Sequence, residues 1–184
     1  MAPELLHDQE LLRRIAAKDE DALKELYGIY GQRLFAYALR VTNDEARAED
    51  AVQEALIVIW QKAGGFRSEG RPIAWILGIV HNTALKSLRH RTERISNVME
   101  NSLVAADLSP EEHLQVNQQA NLLHQGLKGL SPEHREALEL IFYQGLSLEE
   151  AARVCLCPVG TIKSRLSYAR QRLKGLMNRA EAGK

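Results

Sequence analysis

The stretch from Ser131 to Arg172 constrains the fold of this 184-residue chain more than any other, because its punctuation marks short helices joined by tight turns. Ser131-Pro132-Glu133 sets a capping serine before a proline at the first helical position, so a helix starts there, with its end expected near Gly145. Ser147-Leu148-Glu149-Glu150 has the spacing of a capping box and opens a second helix, expected to run to about Val154. Cys155 to Pro158 form a tight connection, and a third helix opens at Pro158 or Val159 with Ile162, Leu166 and Leu173 along one stripe. Two short helices across a tight turn are the helix-turn-helix pattern.

From Val159 to Arg179 every charged residue is basic: Lys163, Arg165, Arg170, Arg172, Lys174 and Arg179. A solvated basic face would account for such a helix standing alone. Here Glu149 and Glu150 precede it and a second basic zone lies upstream, a combination that suits phosphates and base edges of duplex DNA.

The formal net charge is zero, which argues against nucleic acid until the chain is divided. Residues 1–61 hold seven basic and twelve acidic residues, residues 62–95 seven basic against Glu69 and Glu93, residues 96–127 four acids and no base, and residues 128–184 ten basic against six acidic. Two basic zones therefore flank an acidic connector, and the acidic N-terminal helices are free for a protein partner. No apolar run approaches the roughly 20 residues of a membrane span, and no signal-peptide pattern opens the chain, so a soluble, cytoplasmic protein without membrane insertion is expected. Sparse Gly, Pro and β-branched clusters predict an all-α fold. Cys155 and Cys157, one residue apart, suit neither a disulfide framework nor a structural zinc pattern, and no metal or cofactor is expected.

The first block reads as four helices. Residues 8–17 form a short one, and Asp19 to about Val41 a longer one with Leu23, Leu26, Ile29, Tyr30, Leu34, Tyr37 and Ala38 inward. Asn43 or Asp44 caps a third, with Ala48, Val52, Ala55 or Leu56, Ile59 and Ala63 inward, stopped by Gly64-Gly65. After the polar loop Gly65 to Arg71, Pro72 starts a fourth, with Ile73, Ile76 or Leu77, Val80, Ala84 and Leu88 as its core stripe. Its other face carries Trp75, Ile79, Asn82, Lys86 and Arg89, an aromatic, an amide and cations at steps of three and four. Trp75 has two readings, core packing or a base-stacking platform. The apolar period fails from Ile95 to about Asp107, and Ser109-Pro110-Glu111 restarts a helix, so the expected architecture is two small helical domains, 1–95 and 113–184, joined by a flexible acidic linker, 96–112.

These strings resemble the bacterial RNA polymerase sigma factors of the extracytoplasmic-function (ECF) type, group IV of the sigma-70 family, which keep only regions 2 and 4. The residues that carry the resemblance are Ala48-Glu49-Asp50-Ala51-Val52-Gln53-Glu54, Ile59-Trp60, Phe66, Ala74-Trp75-Ile76 and Asn82, then Leu130-Ser131-Pro132, Gly145-Leu146-Ser147 and Pro158 to Leu166. The resemblance implies a protein that binds core RNA polymerase, through the clamp helices of the largest subunit and the flap of the second-largest, and directs promoter-specific initiation. It assigns polymerase docking to Asp50, Gln53 and Glu54. It assigns the minus-ten element to Phe66, Arg67, Arg71, Trp75, Asn82, Lys86 and Arg89, where a flipped base needs stacking and hydrogen bonding. The minus-thirty-five element falls to Thr161, Lys163, Ser164 and Arg165, with Arg170 and Arg172 on phosphates.

The resemblance further implies an anti-sigma factor and a stress response, with signal detection left to another protein. Three positions depart from the family's pattern. Gly78 and His81 stand where a cation is common, shifting promoter opening toward Lys86, Arg89 and Arg91; Leu156 stands where the turn commonly has glycine, so a positive backbone angle there would be costly. A stand-alone regulator binding an operator as a dimer would also explain the helix-turn-helix, but it leaves the Asp50-Gln53-Glu54 string and the Trp75 face unused. An enzyme lacks support in the sequence: no phosphate loop, spaced metal ligands or nucleophile beside a base stands out.

Overall fold

The computed structural model describes residues 3–67, 70–96, 126–127 and 129–182, and among them the regular elements are helical throughout, with no strand. The acidic linker and most of the helix expected to restart after Ser109 lie outside the described residues. Two compact units emerge.

The first unit contains α1 (Pro3–Ala16), α2 (Glu20–Thr42), α3 (Glu45–Lys62) and α4 (Pro72–Ser96). Helix α1 starts earlier than its apolar period suggests and buries Leu11, Leu12 and Ile15. Asp19 caps α2, accepting hydrogen bonds from the Asp21 and Ala22 amides at 3.0 and 3.2 Å, while the Arg14 guanidinium beside it holds its carboxyl below the ordinary value. Asn43, at φ 51°, ends α2 with its amide on the Leu39 carbonyl, and Asp44 opens α3 by accepting from the Arg47 amide at 3.1 Å. The two candidate caps thus serve different helices.

Helices α2, α3 and α4 pack on one another, with α1 laid against α2. Small residues on α3, Ala48, Ala51 and Ala55, allow close approach around Leu26, Leu34, Tyr37, Ile59, Ile76, Leu77 and Val80. Ile29 departs from its expected inward place: it is 50% exposed, because on a 23-residue helix the inward stripe runs through Leu26, Leu34, Tyr37 and Ala38. Leu88 is half-buried. Two polar ties cross the core: the Thr83 hydroxyl donates to the Ala51 carbonyl at 2.9 Å, and Tyr37 Oη meets His81 Nδ1 at 3.1 Å.

At the far end of α3, Lys18 (φ 67°) donates to the Trp60 carbonyl at 2.7 Å and lies 5.0 Å from the Trp60 ring centroid. A cation thereby sits where the helix dipole favours one.

The second unit contains α5 (Pro132–Leu138), which runs into a π-helical turn (Glu139–Tyr143), then α6 (Leu148–Val154) and α7 (Val159–Ala182). The π turn is closed by the Gln144 amide on the Glu139 carbonyl at 2.9 Å, and Gly145 at φ 60° lets the chain turn back. Both halves of the capping box form: the Glu150 amide donates to Ser147 Oγ at 3.1 Å and the Ser147 amide to Glu150 Oε2 at 2.8 Å. Helix α5, with Ala137 buried, packs on α7, whose buried residues are Ile162, Leu166 and Ala169, while Leu140 of the π turn is buried and Leu173 half-buried.

Two expectations are corrected. Ser131 holds the N-cap position of α5 without a side-chain cap, because its hydroxyl is taken by Glu133 Oε2 at 2.7 Å and His134 Nδ1 at 2.6 Å. The turn after α6 retains a positive angle despite the missing glycine: Leu156 sits at φ 51°, 72% exposed.

Candidate nucleic-acid interface

On α3, Asp50 and Gln53 are exposed and Glu54 half-buried. Positions 50, 53 and 54 share one side of the helix but point to different neighbours. Gln53 borders a groove between α2 and α3 lined by Tyr27, Phe35, Glu49 and Leu56, where the Tyr27 ring lies over Gly31 so closely that a Cβ there would meet it at 2.9 Å. Glu54 borders the groove between α3 and α4 and pairs with Lys86, Nζ to Oε1 at 2.6 Å. An acid expected to meet polymerase and a cation expected to meet DNA are therefore partners, a link between residues 32 apart that helical periodicity could not reveal.

The α3–α4 groove also brings together Trp75, Ile79 and Asn82. Trp75 is half-buried, its ring 5.7 Å from that of Phe66 at 58°. It is thus neither wholly core nor a free platform: Phe66 braces it on one side and leaves part of the indole accessible. Arg67, Asn82, Lys86 and Arg89 are exposed and Arg71 half-buried. His81 is a core residue, 4% exposed and bonded to Tyr37, so its substitution for a cation does not thin the charge of the outward face.

On α7, the buried stripe of Ile162, Leu166 and Ala169 divides the outward residues into two flanks. Thr161, Arg165, Tyr168 and Arg172 recur at steps of four, three and four along one, and Lys163, Arg170 and Lys174 along the other. Lys163, Ser164, Arg170 and Arg172 are exposed, and Thr161 and Arg165 half-buried. The Ser164 hydroxyl is turned back onto the Thr161 carbonyl at 2.9 Å.

Each flank meets an aromatic from the preceding segment. Tyr168 stacks on His134, centroids 4.4 Å apart at 29°, and the Arg170 guanidinium lies 5.7 Å from the Phe142 ring centroid. Sequence reasoning gave Tyr168, His134 and Phe142 no part in the interface, although the four-three-four spacing places Tyr168 on the basic flank. Among the described residues no group of three His, Cys, Asp or Glu side chains could hold a metal ion, Cys155 and Cys157 form no disulfide, and no helix is long and apolar enough to cross a membrane.

Comparison with known proteins accords with this geometry. The family described as Sigma-70 region 2 matches residues 26–94, and Sigma-70, region 4 matches residues 120–173. The chain is 30% identical over 183 residues to the ECF RNA polymerase sigma factor SigK of Mycobacterium bovis (strain BCG / Pasteur 1173P2), covering 96% of this chain and 97% of that protein. It is 31% identical to the RNA polymerase sigma-H factor of Pseudomonas aeruginosa, covering 89% and 90%. Among solved structures it resembles the sigma factor RpoE of Bartonella quintana, crystallised with the anti-sigma factor NepR, with a TM-score of 0.65, 31% identity and coverage of 84% and 96%. CnrH, solved with the cytosolic domain of CnrY, shares the fold at a TM-score of 0.64 and 22% identity, covering 94% and 97%. Two family matches in chain order, together with relatives alike over nearly their whole lengths, establish that this chain belongs to the ECF sigma factors of RNA polymerase.

Proposed function

We propose that the two units divide the work of an ECF sigma factor, with region 2 across 1–95, a linker at 96–112 and region 4 across 113–184. In the first unit, Asp50, Gln53 and Glu54 on α3 engage the clamp helices of the largest polymerase subunit. The groove between α3 and α4 then receives the melted minus-ten element. Trp75, backed by Phe66, stacks on an extruded base; Asn82 hydrogen-bonds its edge; Arg67, Arg71, Lys86 and Arg89 hold the strand's phosphates.

In the second unit, α7 enters the major groove of the minus-thirty-five element. Thr161, Lys163, Ser164 and Arg165 near its N-terminal end face base edges, and Arg170 and Arg172 face phosphates. The flap of the second-largest subunit carries this unit. The protein acts as an initiation factor without an enzymatic reaction of its own. Its setting is the cytoplasm, in a stress response held off by an anti-sigma factor, the class of partner with which the Bartonella quintana relative was solved.

The observation that carries this reading is the α3–α4 groove, where a half-buried tryptophan, an amide and a cation of α4 face Glu54, Val58 and Lys62 of α3. Binding to purified core polymerase, followed by fluorescence anisotropy of the labelled full chain, tests the docking half. Asp50→Ala with Glu54→Ala should weaken core binding at least tenfold while Arg165→Ala leaves it unchanged. Equal binding by the double variant and the parent would refute docking through α3.

A further inference from the structure

We propose that Tyr168 is a DNA-backbone contact of α7, donating its phenolic hydrogen to a phosphate oxygen, and that His134 is the positioning residue that fixes its ring. The inference rests on the reading of α7 as the promoter-facing helix and adds to it two residues that the family pattern did not supply. Tyr168 is 49% exposed and lies between Arg165 and Arg172 on one flank of α7. A phosphate approaching that flank at Arg172 meets the phenol one turn before it, a neutral donor beside the guanidinium.

An exposed tyrosine ordinarily samples more than one χ1 rotamer, and each must be given up on binding. Here the ring is already seated on the His134 imidazole, 4.4 Å between centroids. The imidazole is held in turn. Ser131 Oγ lies 2.6 Å from His134 Nδ1 and 2.7 Å from Glu133 Oε2, and the hydroxyl has one hydrogen to give. Donation to the carboxylate leaves Oγ to accept from Nδ1–H, so the relay runs from imidazole to hydroxyl to carboxylate and fixes the ring's orientation. The hydroxyl beside Glu133 and the nearby Arg165 and His134 hold that carboxyl below its ordinary value, which keeps it an acceptor. Helix α5 therefore presets the rotamer of a side chain on α7.

The test uses holoenzyme assembled from core polymerase and the full chain, titrated with promoter duplex across a salt series. Tyr168→Phe keeps the stack and removes the donor: it should raise the half-saturating DNA concentration roughly tenfold, the scale of a hydrogen bond to a charged acceptor. The slope of log affinity against log salt should stay unchanged, since a neutral hydroxyl displaces no counterion, whereas Arg172→Ala should lower that slope by about one. His134→Ala should lose affinity to a similar extent, His134→Phe should restore most of it by keeping a ring under Tyr168, and adding His134→Ala to Tyr168→Phe should cost little more. Parental affinity in Tyr168→Phe, with Arg165→Ala still impaired, overturns the inference and spares the promoter-facing reading. If Arg165→Ala also binds like the parent, that reading fails and the inference with it. A loss in both His134 variants that tracks a lower unfolding temperature would reduce His134 to a structural residue and overturn its positioning role.

Discussion

Gly145→Ala is expected to destabilise the second unit by about 1 kcal/mol, entirely through the backbone. Gly145 adopts φ 60°, and a Cβ built there meets nothing within 4 Å, so no clash contributes. A side chain in the left-handed region costs roughly 1–2 kcal/mol. Loss of glycine's freedom in the unfolded chain returns about 0.4–1 kcal/mol, leaving a net cost near 1 kcal/mol. Leu156→Gly is the counter-experiment at the other end of α6. The same strain, at φ 51°, would be relieved rather than introduced, and the leucine side chain is 72% exposed, so little burial is lost. Its expected effect lies between neutral and about 1 kcal/mol of stabilisation. Amide hydrogen exchange across α6 in the full chain localises both effects: exchange should quicken roughly fivefold in Gly145→Ala, and stay level or slow in Leu156→Gly. Unchanged exchange in Gly145→Ala, or quickened exchange in Leu156→Gly, would refute the strain argument.

Three further outcomes follow from the same structure. Thr83→Val keeps the shape of a buried side chain but removes its bond to the Ala51 carbonyl, and should lower the stability of the first unit by about 1 kcal/mol in urea unfolding. Glu133→Gln should be less stable than the parent near neutrality; because the folded pKa is depressed, the contribution is present above the unfolded value and lost as pH falls through the folded one, so the gap should close in acid unfolding titrations. Trp75→Ala should impair transcription from a closed duplex promoter far more than from a template already mismatched over the minus-ten element, since the indole is assigned to holding an extruded base.

Much of the fold was legible because the helix ends carry their own chemistry. Asp19, Asp44 and the Ser147–Glu150 box each act within three residues, a range over which sequence alone decides. Where a nearby side chain competed for the same atom, the reading failed: Ser131 gives its hydroxyl to Glu133 and His134 rather than to the helix end. Ile29 misled because a broad apolar pattern on a long helix does not say which apolar positions meet α3 and α4. The π turn at Glu139–Tyr143 carries no signature in residue type, since five ordinary helix and strand formers spell it.

The candidate site was legible as residue types at helical spacing, but its couplings were not. Glu54 with Lys86, Tyr37 with His81, and His134 with Tyr168 join residues 32, 44 and 34 apart in the chain, and only the packing of helices pairs them. The case of His81 shows the consequence. Read against the family's pattern it thins the charge of the helix expected to face DNA; in the fold it belongs to the core.

The most direct test of the whole account is run-off transcription with purified core polymerase on genomic fragments, comparing the parent with the Asp50→Ala, Glu54→Ala double variant and with Arg165→Ala. The account predicts a defined set of transcripts with the parent, lost in both variants, with only the double variant failing to bind core polymerase. An undiminished transcript set in the double variant, or fragment-specific DNA binding by the chain alone without any transcript, would contradict it.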